Sequence, residues 1–506
     1  MASDPPDTPD GAAASGLASR LRLLQVQLIR LALWRLRRAW RVLRGVEPEV
    51  WRRLFREARL GPHWWDRVVV LSYAVLTGLV VVGFTYAAEG GMHVFLQLTS
   101  ATPLGPVLAL LWTPLITVAL LAWTRHFVPG AGGSGIPQVM RALDDDMDDR
   151  RIGRLVSLRL ALHKVGLVSG GLLGGLSIGR EGPTVQVGAG VMLHARRWLS
   201  PQSGLDGHDL MVAGAAAGIA AAFNTPLGGI VFALEQLSRR RGMHHSALVI
   251  ASIVLAGMVA VAFFGNVTYF GRLAVQPLDW SLLAPGVAVA LACGLAGGLF
   301  SRLMVVGVRG LPGRFSRWRA RHPYRFAAGC GLVVAVIGWV THGATAGAGY
   351  TATRDMLEGR SELPGVFTLL KFCATWLSAW SGVPAGVFAP SLTIGAGIGH
   401  DVAALTGVSG AQAIPLIALG MVGFLAATTQ GPITAFIIVM EMVSGHAMVL
   451  SLMACALLAS AVSRLVAEPM YLELAALLPV GPTASQDPAA GDGEDATGPA
   501  PGRTAG

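Results

Sequence analysis

The apolar positions of this chain come in runs too long and unbroken for a water-soluble fold. Val68–Ala88 passes 21 residues without a charge, and Val402–Met440 contains no Asp, Glu, Lys or Arg. Leu283–Ser301 and Phe326–Thr353 are also uncharged and long. A bilayer crossing takes roughly 20 apolar residues, so these runs predict transmembrane helices. A soluble all-α protein would need a charged face every few turns.

Other apolar pieces are short. Pro183–Leu193, Pro226–Leu237 and Pro432–Val443 each start at a proline and run 11 or 12 residues. Proline suits a first helical turn, where its missing N–H would be unpaired anyway. Too short to cross alone, these pieces predict half-helices that start or stop inside the membrane. Irregular backbone at that depth must be buried in protein or line a wet cavity.

The pattern also repeats. Lys164…Gly175…Gly179-Arg-Glu-Gly-Pro183…Gly188-Ala-Gly190 returns about 207 residues later as Lys371…Gly382…Gly386-Val-Phe-Ala-Pro390…Gly395-Ala-Gly397. Pro226-Leu…Glu235 returns as Pro432-Ile…Glu441. Paired, glycine-interrupted apolar segments predict a transporter built from two related halves around a midplane site. The organisation expected is a disordered N-terminus (1–17), an Arg-rich amphipathic cytoplasmic region (18–60), a first membrane repeat (61–265), a second (266–480) and a disordered tail (481–506).

Composition agrees: 53% of residues are hydrophobic and only 13% charged, which excludes an ordinary globule. The net charge of +10 is concentrated. Residues 18–60 hold twelve arginines against three acids, Arg309–Arg325 holds six, and Arg239–Arg241 forms a cluster. By the positive-inside rule these segments, and with them both termini, face the cytoplasm. Residues 20–45 alternate apolar and Arg-rich faces, as a helix lying on the membrane does. Nucleic-acid binding has no supporting fold signature. Four cysteines scattered in apolar runs show no pairing or metal spacing. The histidines are equally dispersed, so neither a metal nor a cofactor is expected.

Three glycine-rich breaks stand out: Gly133-Ser-Gly-Ile-Pro137, Gly179-Arg-Glu-Gly-Pro183 and Gly386-Val-Phe-Ala-Pro390. A helix start leaves several N–H groups unpaired and carries partial positive charge. Several starts aimed at one point make an anion site without a fixed cation. Such a site binds loosely enough to release its ion, as conduction requires. The alternative for any one break is close helix packing through small residues; Gly170, Gly171, Gly174 and Gly175 read that way.

Glu181 is an acid between glycines in apolar sequence, and intramembrane acids are costly and functional by default. The repeat has Phe388 at that register, so the fold itself does not require an acid. Ionised, the carboxylate would take an anion's place; protonated, it could swing away, acting as gate and proton carrier. Pairing with the neighbouring Arg180 is the structural alternative. Glu235 and Glu441 end matched half-helices, where i,i+4 salt bridges compete with proton handling. The phenol of Tyr471 could donate a hydrogen bond inward or anchor the interface.

Together the three breaks resemble the anion-site motifs of the CLC family of chloride channels and chloride/proton antiporters, in the family's order and spacing. Glu468-Pro-Met-Tyr471 is similar to its last motif, and the likeness runs from about Val68 to Leu478. The resemblance implies an all-α membrane fold of two inverted-topology repeats of tilted and broken helices. It implies a homodimer with one pore per subunit. Ser134 and Tyr471 would contact a central chloride through their hydroxyls, Val387 and Phe388 through backbone N–H groups, and Glu181 would be the external gate. Many antiporters of the family carry a second acid where Gln236 follows Glu235 here. Glutamine cannot ionise, which puts proton coupling in doubt. Ser134 fits chloride rather than nitrate, and the Gly-Arg-Glu-Gly-Pro form differs from the fluoride-exporting branch.

The reading is chloride transport, by antiport with protons or as a channel, in a multi-pass bacterial inner-membrane protein contacting lipid. It is not an enzyme reading. The competing one is a rhomboid-like intramembrane serine protease using Ser134 in Gly132-Gly-Ser-Gly135, with His163 or His208 as base. That nucleophile and base would have to lie within hydrogen-bond reach.

Overall fold

A computed structural model describes residues 61–100, 103–238, 246–265, 268–270, 279–360, 363 and 365–478. The expected disordered ends, the amphipathic stretch within 18–60 and the Arg239–Arg241 cluster lie outside the described residues. Two compact units divide after Trp65. Of the first, only the opening turn of α1 is described; all other described residues belong to the second.

The first half contains α1 (Gly61–Ser100), α2 (Gly105–Phe127), α3 (Ile136–Ala142), α4 (Asp149–Leu155), α5 (Leu158–Leu173), α6 (Glu181–Leu193), α7 (Gly207–Phe223), α8 (Pro226–Phe232) and α9 (Ser246–Phe264). The second contains α10 (Leu283–Arg309), α11 (Arg314–Arg321), α12 (Pro323–Val340), α13 (Tyr350–Leu357), α14 (Phe367–Trp380), α15 (Phe388–Leu405), α16 (Ala413–Thr429), α17 (Pro432–Met442), α18 (Val449–Arg464) and α19 (Met470–Ala476). Eight of the described helical segments are long and apolar enough to cross a membrane. The described residues contain no β-strand, only one isolated bridge between Gly179 and Gly386.

The fold is one of two inverted-topology repeats, and the central helices of the halves pack alike. α6 packs on α7 as α15 packs on α16, and α8 meets α17. The repeated Gly-Ala-Gly explains the first two contacts. A Cβ on Gly188 would collide with the Gly214 carbonyl, and one on Gly395 with the Gly420 carbonyl. Without a hydrophobic force between helices in lipid, such backbone approach is what makes packing favourable. α7 and α16 are consequently buried almost throughout.

Both central helices end alike. Asn224 (φ 57°) and Gln430 (φ 50°) adopt the left-handed conformation, then Pro226 and Pro432 open the next half-helix. α8 continues as a π-helical turn, Ala233–Leu237, carrying Glu235 and Gln236.

Two expectations need correction. The piece read as Pro183–Leu193 starts at Glu181, and its counterpart starts at Phe388. Pro183 and Pro390 stand third in their helices, where the absent N–H still costs nothing. Glu181 and Phe388 therefore belong to the first turns themselves. The uncharged Phe326–Thr353 run is not one span: α12 ends at Val340, and His342, Gly343, Gly347 and Gly349 have positive φ before α13.

Candidate functional site

The three sequence breaks meet. The Ala385 amide donates to the Gly133 carbonyl at 3.2 Å, and the Gly179 amide to the Gly386 carbonyl at 2.7 Å. Gly182 lies against Ser134, where a Cβ would strike the serine hydroxyl. Gly133 (φ 70°) and Gly135 (φ 107°) give the first break a course that residues with a Cβ rarely follow.

Buried side chains clamp that first break. Lys164, fully buried, donates from Nζ to the carbonyls of Ala131 (2.6 Å) and Gly133 (2.7 Å). Gln186 Nε2 donates to Gly130 (2.9 Å) and Leu155 (2.7 Å). Gln138 accepts from the Gly135 amide at 2.9 Å and donates to Gly132. At the far end of α3, Arg141 forks onto Asp146 at 2.7 Å and reaches Asp144 at 2.8 Å. Those hydrogen bonds hold the Asp146 carboxyl below its ordinary range.

Three polar groups at this meeting point are buried and unsatisfied. α19 packs on α3 and brings the Tyr471 hydroxyl to face that of Ser134. Neither completes a hydrogen bond of good geometry with a protein atom, and Glu181 Oε2 also has no partner. Ser134 is 7% exposed, Tyr471 2% and Glu181 1%. Leaving a buried hydroxyl unpaired costs about 1–3 kcal/mol. Val387 and Phe388, at the start of α15, are also buried.

Glu181 is buried in the first turn of α6. Its carboxylate folds back toward the amides of Arg180 and Glu181, and Oε2 lies near Gly179 beside Ala389 and Pro390 of α15. Oε1 accepts from the Tyr269 hydroxyl at 3.4 Å. Arg180 is not chiefly its partner: Nη1 pairs with Glu89 at 2.9 Å, while Nε stands 4.0 Å from Glu181. Tyr269 packs edge-on against Phe223 (5.6 Å) and Tyr350 (5.4 Å), and Phe223 lies 5.4 Å from Phe388. An aromatic wall thus flanks the acid. Tyr269, Glu89, Gln138 and Gln186 were not singled out by sequence reasoning. Lys164 was, but only as part of the repeat. A long polar side chain inside an apolar run was the one available signal for Lys164 and Gln186.

Glu235 and Glu441 each reach across the repeat. Glu235 accepts the amides of Ile433 (3.0 Å) and Thr434 (2.7 Å) at the start of α17. Glu441 accepts those of Leu227 (3.3 Å) and Gly228 (2.8 Å) at the start of α8. Each half thereby caps the other's half-helix, an across-repeat arrangement that i,i+4 spacing did not foresee. Gln236 is buried with Nε2 unsatisfied, and it lies against Gly431 rather than against Ser134 or Glu181.

The protease geometry fails. Ser134 Oγ has no hydrogen-bond partner, and His163 is half-buried with Nδ1 bound to the Arg159 carbonyl at 2.8 Å. His208 lies with Asp206 and Asp209, their ligand atoms within 4.8 Å of one another. Asp206 there caps α7, accepting the Asp209 amide at 2.8 Å.

Comparison with known proteins bears on the family and the fold. Residues 115–464 match the family model described as voltage gated chloride channel. The H(+)/Cl(-) exchange transporter ClcA of Citrobacter koseri is 28% identical over 432 residues, covering 80% of this chain and 87% of its own. That of Salmonella typhimurium is 28% identical over 420 residues, covering 78% and 85%. A slow cyanobacterial Cl-/H+ antiporter superposes with a TM-score of 0.68 at 22% identity, covering 81% of this chain and 97% of that one. A CLC-type fluoride/proton antiporter gives 0.66 at 21% identity, with the same coverages.

Proposed function

The chain belongs to the voltage-gated chloride channel family, and from that premise we propose that it carries chloride across a membrane through a path gated by Glu181. The observation that carries the proposal is the cluster of buried, unsatisfied groups: the Ser134 and Tyr471 hydroxyls beside the starts of α6 and α15. A halide offers no hydrogen to donate and accepts from several donors at once. Hydroxyls and backbone amides suit it, and they hold it without the strength of a full countercharge.

In this reading the Ser134 and Tyr471 hydroxyls and the N–H groups of Val387 and Phe388 bind the ion. The ionised Glu181 carboxylate occupies the outer seat and excludes it. Protonation removes the charge, weakens the hold of the helix starts and frees the seat. Each cycle of the gate then moves a proton as well as an anion. Chloride/proton exchange is the leading form, because the ClcA relatives are named H(+)/Cl(-) exchange transporters. An uncoupled channel is the second, favoured by Gln236, which cannot ionise on the route from the cytoplasm. Glu235 is read as a helix cap rather than a relay, since its oxygens already hold two amides. The protein is further proposed to work as a homodimer with one path per subunit, in a bacterial inner membrane with both termini cytoplasmic.

The deciding experiment is chloride-driven proton movement in liposomes containing the purified protein. Exchange requires protons to move uphill when only a chloride gradient is imposed. Chloride flux without proton movement leaves the channel form, and no flux of either ion ends the proposal.

A further inference from the structure

The arginines between residues 309 and 325 divide into engaged and unengaged groups. Arg309 pairs with Glu473 at 2.7 Å. Arg319 donates to the Gly307 carbonyl, and its guanidinium lies 5.0 Å from the Phe326 ring centroid and 5.4 Å from that of Trp380. The Arg319 contacts anchor α11, a helix with no buried residue. Among the described residues, Arg321 and Arg325 have no such partners. With Arg125, His126, His322 and Tyr324 they line a cavity of about 560 Å³ where the last turn of α2 meets the first of α12.

No acid lines this cavity, and none of its three arginines makes an ion pair among the described residues. His126 engages the Ala122 carbonyl through Nδ1 at 2.8 Å, leaving Nε2 available. Three guanidiniums around one space repel each other unless an anion lies among them. Guanidinium matches phosphate oxygens in forked pairs.

The surroundings say which phosphate. α2 and α12 pack along each other, and their outward faces are apolar and exposed: Leu111, Leu115 and Phe127 on one, Leu332 and Val336 on the other. Trp123 and Phe127, ring centroids 5.1 Å apart, flank Arg125, as aromatic residues do at a membrane–water boundary. A ligand with an anionic head in the cavity and acyl chains along those faces is a phospholipid. Basic pockets between transmembrane helices on the cytoplasmic side recognise such headgroups. We propose that this cavity binds the phosphate headgroup of an anionic phospholipid from the cytoplasmic leaflet. A free phosphate would satisfy the charge and leave the apolar faces unused. The inference does not depend on the chloride path, which uses none of these residues.

The test is native mass spectrometry of the full-length protein, delipidated in neutral detergent and titrated with phosphatidylglycerol, phosphatidylcholine or inorganic pyrophosphate. The wild type is expected to retain phosphatidylglycerol about a hundredfold better than phosphatidylcholine. Arg125→Gln/Arg321→Gln/Arg325→Gln is expected to lose most of that preference, at about fivefold per arginine. The arginines of residues 18–60 contribute alike to both proteins, so the difference reads the cavity. Equal phosphatidylglycerol binding by both proteins overturns the proposal. Tight pyrophosphate binding without a lipid preference also overturns it and assigns the cavity to a soluble phosphate. Should the triple variant not fold, Arg321→Gln alone, on exposed α11, is expected to weaken phosphatidylglycerol about fivefold, and an unchanged affinity overturns the proposal.

Discussion

The two halves share a scaffold and differ in chemistry. Gly133-Ser-Gly135 has a structural counterpart in Gly347-Ala-Gly349, with positive φ at all four glycines. Lys164 holds the first loop through the carbonyls of Ala131 and Gly133. Lys371 holds the second in the same way, through Thr345 (2.9 Å) and Gly347 (2.8 Å), and also donates to Ser177 at 3.0 Å. The first loop presents an unsatisfied hydroxyl. The second presents Ala348, and its polar groups are filled from within: Thr393 donates to the Ala348 carbonyl at 2.9 Å and bonds Thr353 at 2.8 Å. Where the first half has Glu181, the second has Phe388. Duplication built the backbone twice. One loop kept the free donors, and the other closed on itself.

The largest effect should come from what the halves share. Lys164→Met and Lys371→Met each orphan buried carbonyls, at about 3 kcal/mol or more. Both are expected to lose folded protein alike, read as a monodisperse peak and its thermal midpoint in detergent. If only Lys164→Met is destabilised, the lysines are not equivalent clamps. Next comes the position where the halves differ most. Glu181→Gln mimics the protonated gate, so chloride flux should persist with acid activation and proton coupling abolished; wild-type-like acid activation would remove Glu181 from the gate.

A smaller effect separates Ser134 from Ala348. Ser134→Ala deletes one donor and should weaken chloride binding about tenfold by isothermal titration, near 1.4 kcal/mol. Ala348→Ser should leave binding unchanged, because the second loop's partners are already met. A comparable loss from both would mean two working sites. The smallest effect concerns the crossed caps. Glu235→Gln and Glu441→Gln should each lower stability by about 1 kcal/mol and to a similar extent. If Glu235→Gln instead stops proton movement at unchanged stability, the carboxylate is a relay and the cap is incidental.

Much of this was legible in the chain. Uncharged runs such as Val68–Ala88 announce membrane helices because a bilayer tolerates little else. The echo of Gly-Arg-Glu-Gly-Pro in Gly-Val-Phe-Ala-Pro announces paired broken helices. Ser134, Glu181, Phe388 and Tyr471 could be nominated because polar or breaking residues in apolar sequence are conspicuous. Gly347-Ala-Gly349 escaped notice, since its alanine carries no chemistry and the run around it looks like a plain span. The partners Tyr269 and Glu89 escaped because they stand 88 and 91 residues from the positions they serve.

Which segments live in lipid, that they come twice and where the chain must break can be read from residue order alone, because hydrophobic length and glycine or proline act locally. That Glu235 and Glu441 cap each other's half-helices, that Arg180 turns to Glu89, and that one of the two lysine-held loops keeps its hydroxyl free emerge only once the chain is folded. Those outcomes depend on which atoms meet across hundreds of residues. In a buried site, hydrogen-bond partners are assigned by geometry rather than by nearness along the chain.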